Sequence, residues 1–283
     1  DFMRPDRVVV GVESERAKML MAELYRPLFL IETPVVFTSI KTAELIKYAA
    51  NTFLATKITF INEIADICEK TGADVHDVAK GIGLDGRIGN KFLHPGPGYG
   101  GSCFPKDTLA FVRIARECGA PSQIVEAVVK INDKRKVQMA QKIIRAMEGT
   151  VDNKRIAVLG VAFKPNTDDV RDSASLTIIP ALQQEGASIY AYDPEAMGEA
   201  EQLLPDVNWC HSAYAAMDRA DVLVILTEWN EFRALDLERV RQLLVRPVIV
   251  DLRNIYEPHA MAAAGFQYVS VGRQASEASI ADA

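Results

Sequence analysis

The sequence predicts an α/β protein in three parts: the C-terminal remnant of an N-terminal βα domain, a central α domain with one long helix, and a C-terminal doubly wound parallel-sheet domain. Three observations carry this. Residues 1–37 hold a strand, helix, strand pattern. Residues 38–71 contain neither Pro nor Gly, while apolar and small side chains recur at helical spacing. From residue 155 onward, short apolar runs alternate with helical stretches, the pattern of a parallel sheet with helices on both faces.

Val8-Val9-Val10-Gly11-Val12 reads as a buried strand. Ser14-Glu15-Arg16 then opens a helix carrying Ala17, Leu20, Met21 and Leu24, and Pro34-Val35-Val36-Phe37 is a second strand. Over 38–71, Leu45, Tyr48, Thr52, Phe53, Phe60, Ile64 and Ile67 mark a helix on the order of 50 Å long. Gly72, which takes the left-handed C′ conformation, ends it. A helix of that length spans domains or a subunit interface.

A short helix over 75–80 leads into a segment without core periodicity, where eight glycines fall between Gly81 and Gly101. Such a segment suits a backbone that turns repeatedly or approaches a ligand closely. Helices over 107–118 and 122–147 follow, closed by Gly119 and Gly149. Strands are expected over 155–160, 188–193, 220–226, 247–251 and 266–271, and residues 274–283 read as a mobile tail. The domain boundaries are thus 1–37, 38–149 and 150–273, followed by the tail.

Composition narrows the function classes. A net charge of −6 argues against a nucleic-acid partner, and 49% hydrophobic residues suffice for a sizeable core. The longest apolar runs fall far below the roughly 18 residues that span a bilayer, so no membrane segment is expected. The four cysteines form no CxxC pair, as in a reduced cytoplasmic protein, and the four histidines show no paired ligand spacing, so no metal is expected. The chain opens with Asp and no signal pattern, and is read as a fragment.

Gly81-Ile82-Gly83-Leu84-Asp85-Gly86 spells GxGxxG, but a dinucleotide fingerprint needs a strand before it and a helix start after it. Here a helix precedes and more loop follows, so the hexapeptide is rejected as a cofactor site. Cys103 differs from the other cysteines, which sit on apolar patterns. It precedes a helix start marked by Pro105, with Lys106 three residues on, and both the helix end and the cation favour thiolate. Lys47 and Asn51, at i and i+4 on the long helix, share a face where a donor pair holds an oxyanion or a water, or is simply a solvated stripe. Lys164 and Arg171 follow one sheet strand and Arg253 another, at the edge where doubly wound sheets bind ligands; the three are candidates to neutralise a phosphate.

Lys47-Tyr48-Ala49-Ala50-Asn51, Arg87-Ile88-Gly89-Asn90-Lys91-Phe92, the run Gly100-Gly101-Ser102-Cys103-Phe104-Pro105-Lys106-Asp107 and Gly160-Val161-Ala162-Phe163-Lys164 together closely resemble the UDP-glucose/GDP-mannose dehydrogenase family, over roughly residues 1–273. The resemblance implies NAD-dependent four-electron oxidation of UDP-glucose to UDP-glucuronate through a thiohemiacetal and a thioester on Cys103. GDP-mannose or another nucleotide sugar is the alternative substrate, and a non-catalytic nucleotide-sugar-binding and dimerisation module the alternative class. It implies that Lys47 and Asn51 assist at C6 and that Asp107 is the polar or general-base partner of Cys103. Arg87 would reach a neighbouring subunit's substrate, with Phe92 in the same motif. His94, Tyr99 and Gly100 would cover the nucleotide, and Phe163, Lys164 and Arg253 would hold it. Cys103, Lys106 and Arg171 would approach NAD. The resemblance further implies a homodimer through the long helix, and a Rossmann-type NAD-binding domain of which residues 1–37 are the end. The chain as given is therefore expected not to turn over.

Overall fold

The computed structural model describes residues 4–31 and 33–276. Strand β1 (Val8–Gly11) and strand β2 (Val35–Thr38) pair in parallel, Val8 against Val35 and Gly11 against Thr38. Between them lie helix α1 (Glu15–Tyr25), capped by Ser14 accepting from the Ala17 N–H, and a 3₁₀ segment (Arg26–Ile31). This is the strand, helix, strand order read from the sequence.

Helix α2 (Ile40–Thr71) is continuous for 32 residues. The Ser39 hydroxyl accepts from the Thr42 N–H at its start, and Gly72, at φ +79°, ends it with its N–H on the Cys68 carbonyl. The chain divides into two compact units between Phe53 and Leu54, inside α2.

The second unit begins with the remainder of α2, followed by helix α3 (Val75–Gly83), helix α4 (Phe104–Glu117) and helix α5 (Gln123–Ala146). Gly81 and Gly83 lie inside α3, consistent with rejecting the hexapeptide as a fingerprint. Helix α4 starts at Phe104, three residues before the sequence-based expectation, because the first turn needs no N–H from Pro105. Cys103 therefore becomes its N-cap residue.

The sheet strands are β3 (Arg155–Leu159), β4 (Ser188–Tyr192), β5 (Val207–Trp209), β6 (Val222–Ile225), β7 (Val248–Asp251) and β8 (Gln267–Ser270), all parallel in the order β5-β4-β3-β6-β7-β8. The crossovers contain α6 (Ser175–Gln184), α7 (Met197–Glu201), α8 (Ala213–Met217), α9 (Asn230–Arg233), α10 (Leu237–Leu243) and α11 (Pro258–Ala263). The sequence reading missed β5. It is three residues long at the sheet edge, and its middle residue, Asn208, donates its side-chain amide to the Ile189 carbonyl, so no apolar run marks it.

Every residue of β6 and β7 is buried, as the continuous Val/Ile/Leu runs require of strands covered on both faces. One core runs from Ile61 and Ala65 on α2, through Met139 and Ile143 on α5, to Ile156, Val224 and Val250 in the sheet. The strand order reverses direction between β3 and β6, which places the ligand crevice of such a sheet at their carboxyl ends. Among the described residues no helix is long and apolar enough to cross a membrane, and no group of His, Cys, Asp or Glu is placed to hold a metal ion. The mobile-tail expectation concerns residues that, beyond Ser276, lie outside the described ones.

Candidate functional site

The carboxyl ends of β3 and β6 approach so closely that only glycine fits at position 160. Gly160 has φ +85°, and a Cβ there would sit 2.4 Å from the Thr227 Cβ. The loop that follows is held by Asp193, fully buried at the end of β4. Its Oδ2 accepts from the N–H groups of Val161 (2.7 Å) and Ala162 (3.0 Å) and from Trp229 Nε1 (3.2 Å); its Oδ1 accepts from the N–H groups of Glu195 and Ala196. These donors compensate a carboxylate that burial alone would penalise. The fixed loop presents Phe163 and Lys164, with the Lys164 ammonium 5.3 Å from the Phe163 ring centre.

Arg253, two residues past β7, ties this loop to its neighbours. Its Nη2 donates to the Phe163 carbonyl (2.9 Å) and its Nε to the Leu226 carbonyl (2.7 Å). Because Nε has one hydrogen and Leu226 takes it, the Glu228 Oε2 at 3.1 Å forms an ion pair with Arg253 but no hydrogen bond. The backbone N–H of Arg253 rests on the Asp251 Oδ1, whose Oδ2 accepts from Ile255, Tyr256 and the Tyr268 hydroxyl. Complete burial raises the Asp251 pKa, against the opposing pull of those donors.

The glycine-rich segment is held over this edge by α5. Asn132 clamps the Tyr99 backbone at both ends, its Oδ1 on the N–H (2.8 Å) and its Nδ2 on the carbonyl (3.2 Å). Arg135, almost fully buried, donates Nε to the Gly96 carbonyl (3.1 Å) and pairs with Asp66, and Lys136 donates to the Asp172 carbonyl (2.9 Å). From α2, the buried Asn62 accepts the Gly96 N–H at 2.8 Å. Gly101, at φ +81°, lies so near Phe163 that a Cβ would be 2.6 Å from its ring, and its N–H donates to the Arg171 carbonyl.

These elements enclose a cavity of about 240 Å³. Its aromatic walls are Phe92, Tyr99, Phe104 and Phe163, with Phe104 packed edge-on against Phe92 (6.0 Å) and Tyr99 (6.1 Å). Phe92 holds a left-handed backbone (φ +65°), uncommon for so bulky a residue. Burial pushes the Tyr99 pKa up to about 12, so it remains a neutral phenol. Lys164 and Arg253 supply the cations, Asn62 and His94 line the wall, and Gly96, Gly98 and Gly100 bring backbone close. An aromatic enclosure with a few convergent charges suits a flat, anionic ligand.

Of the residues singled out from the sequence, Phe92, His94, Tyr99, Gly100, Phe163, Lys164 and Arg253 line this one cavity. Arg87, Cys103, Lys106, Asp107 and Arg171, in the same unit, are not among its lining residues. The Arg87 guanidinium is exposed and bonded bidentately to Asp85, whose pKa it lowers. Cys103 is exposed, its Sγ 3.7 Å from the Ser102 hydroxyl. Asp107 is buried one turn into α4, its N–H on the Cys103 carbonyl and its carboxylate paired with Lys106 (2.5 Å). Arg171 forks onto Asp169, whose pKa it lowers. In the first unit, Lys47 is exposed and Asn51 buried on α2.

The sequence reading missed Asn62, Asn132, Arg135, Asp193 and Glu228. None sits in a glycine-rich or cysteine-bearing motif. The only signal was polarity inside otherwise apolar helical or strand patterns, which a solvated face also produces.

A six-stranded, doubly wound parallel sheet with an aromatic and cationic cavity at its switch point, attached to a long-helix domain, defines a doubly wound α/β protein with a ligand crevice. The family's central domain matches residues 41–134 and its UDP binding domain residues 157–258. The chain belongs to the UDP-glucose/GDP-mannose dehydrogenase family. It is 56% identical over 275 residues to a UDP-glucose 6-dehydrogenase of Rhizobium meliloti (96% of this chain, 63% of that protein). It is 50% identical over 276 residues to the Bacillus subtilis UDP-glucose 6-dehydrogenase TuaD (97% and 59%). Among solved structures, a UDP-glucose dehydrogenase from Pyrobaculum islandicum matches with a TM-score of 0.82 at 37% identity, covering 90% of this chain and 57% of that one. The NDP-N-acetyl-D-galactosaminuronic acid dehydrogenase from Methanosarcina mazei matches with a TM-score of 0.82 at 28% identity (96% and 59%). The chain thus spans about six tenths of the length of these relatives.

Proposed function

We propose that this chain is the sugar-nucleotide-binding and thiol-bearing part of a UDP-glucose 6-dehydrogenase. The observation that carries the reading is the cavity at the β3–β6 switch point, where Lys164 and Arg253, the latter paired with Glu228, face aromatic walls and glycine backbone. A diphosphate lies against the two cations, and the aromatic rings cover the rest of the nucleotide. UDP-glucose is the substrate because the relatives at 56% and 50% identity are UDP-glucose 6-dehydrogenases. Phe92, His94, Tyr99, Gly100 and Phe163 complete the site, and Arg87, with its exposed guanidinium, reaches the substrate of a second subunit. The subunits pair along α2, where Phe53, Phe60 and Ile67 recur every seventh residue at 65%, 49% and 55% exposure. Four free cysteines fit work in the cytoplasm.

Cys103 is the nucleophile. Its thiolate donates an electron pair to the C6 aldehyde carbon, the carbonyl π pair moves to oxygen, and that oxygen takes a proton to give a thiohemiacetal. It is the exposed N-cap residue of α4, next to the unpaired N–H groups of the helix's first turn. Lys47 and Asn51, as the resemblance implies, donate to the developing oxyanion, and Asp107, its charge balanced by Lys106, is the polar partner of Cys103.

NAD is the hydride acceptor that the resemblance implies, and the described residues do not fit it unaided. Lys106 and Arg171 are paired with Asp107 and Asp169, and the cavity beside Arg171 is walled by Asp168, Asp169 and Glu199, which repel a pyrophosphate. The 283-residue chain is therefore expected to bind UDP-glucose and to form no NADH from it. Calorimetric titration tests the reading: UDP-glucose binding, with GDP-mannose at least about tenfold weaker, is expected. Equal affinity for the two, or NADH formation by this chain, overturns it.

A further inference from the structure

Next to Arg253 in the chain, Asn254 occupies a left-handed backbone position (φ +53°), which asparagine tolerates better than most residues. Its side-chain amide is locked in one orientation. The Oδ1 accepts the Val271 N–H (2.9 Å) and the Nδ2 donates to the Val271 carbonyl (2.8 Å); turning the amide over would set donor against donor and acceptor against acceptor. The second Nδ2 hydrogen faces His76 Nε2, on α3, at 3.3 Å. An amide hydrogen is satisfied there only if Nε2 carries none, so the ring must be neutral with its proton on Nδ1.

We propose that His76 is a positioning residue for Arg253: its bare Nε2 holds Asn254 and with it the loop after β7, so that protonation of His76 loosens the loop and weakens the cavity's hold on a nucleotide diphosphate. A proton on Nε2 places two donors 3.3 Å apart, and the contact turns from attractive to repulsive. The strain falls on the residue next to Arg253, whose guanidinium joins three strand ends and lines the cavity. Glu228 and Leu226, its partners after β6, stay in place, so a moved guanidinium loses them as well as its bond to Phe163.

The groups around His76 come from four segments. Asp74, the N-cap of α3, and Glu257, before α11, favour its charged form; Arg273, after β8, and His94, in the glycine-rich segment, oppose it. Burial outweighs all of these and lowers the pKa below the ordinary imidazole value. The neutral ring is thus the resting state near neutrality, and the contact is lost as pH falls through a value below about 6.5.

This inference rests on the nucleotide-sugar reading of the cavity, and the test separates the two. UDP-glucose is the probe, since its phosphodiester groups hold their charge across the range. Its affinity for the 283-residue chain and for His76→Gln is measured by calorimetry from pH 8 to pH 5. Glutamine offers an acceptor oxygen that does not titrate. The unaltered chain is expected to lose roughly three- to tenfold in affinity toward pH 5 relative to His76→Gln, the worth of one hydrogen bond. Nitrogen NMR of the His76 ring at pH 8, without ligand, is expected to show Nε2 as the unprotonated nitrogen. Parallel pH profiles, or a proton on Nε2, overturn the positioning role while leaving the nucleotide reading intact. Failure of the unaltered chain to bind UDP-glucose at pH 8 overturns both.

Discussion

The guanidinium of Arg253 donates from Nη2 to the carbonyl of Phe163 at 2.9 Å, joining the end of β7 to the loop after β3 across ninety positions of sequence. The same side chain lines the cavity that Phe163 walls. Binding charge and loop geometry are therefore one feature, and altering either alters both.

Arg253→Lys is expected to bind UDP-glucose about ten- to hundredfold more weakly, close to Arg253→Ala. A lysine retains the charge but cannot donate to Phe163 and Leu226 from a planar fork and still face the ligand. Calorimetry on both variants checks this; a lysine variant within threefold of the unaltered chain would show that charge alone suffices.

Gly101→Ala meets two penalties, a positive φ and a Cβ 2.6 Å from the Phe163 ring. A loss of about 1–3 kcal/mol in unfolding free energy is expected. Denaturant unfolding measures it, and weaker UDP-glucose binding should accompany it because Phe163 is forced off the cavity wall.

Asp193→Ala removes an acceptor for five N–H groups at once. With buried donors unpaired, the expected cost is at least about 3 kcal/mol, again read from urea unfolding. Asp193→Asn retains an oxygen for some of them and should lose clearly less. Equal losses would mean that the carboxylate charge, rather than the count of acceptors, matters.

Exposed Cys103 and Cys118 are expected to alkylate rapidly with iodoacetamide, and Cys68, buried and with its pKa raised chiefly by that burial, slowly. Under the proposed reading UDP-glucose should slow labelling at Cys103 and leave Cys118 unchanged. Peptide mapping of labelled protein resolves the three sites. Cys103→Ser is expected to bind UDP-glucose within about threefold of the unaltered chain, since its thiol lies outside the cavity walls.

The fold was legible where periodicity was unambiguous. The glycine-free stretch before Gly72 became α2, and the Val/Ile/Leu runs became β3, β6 and β7, because strands buried on both faces have no polar alternation to hide them. Strand β5 escaped because Asn208 earns its place through a side-chain bond to a neighbouring strand, a partner invisible along the chain. The start of α4 was read late because Asp107 resembles a first-turn acid, although Pro105 already sits in the first turn.

By itself the sequence determined the element types apart from β5, the parallel character of the second sheet, and the motifs that carry Cys103, Lys164 and Arg253. Those depend on residues near one another in the chain. Only the tertiary structure decided that β3 and β6 form the switch point and that Asn132 and Arg135 clamp the glycine segment. It also decided that Asp193 organises a loop more than thirty positions away, and that His76 faces the Asn254 amide. Hydrogen bonds and close packing act over ångströms in space, and folding brings together residues that no local pattern links.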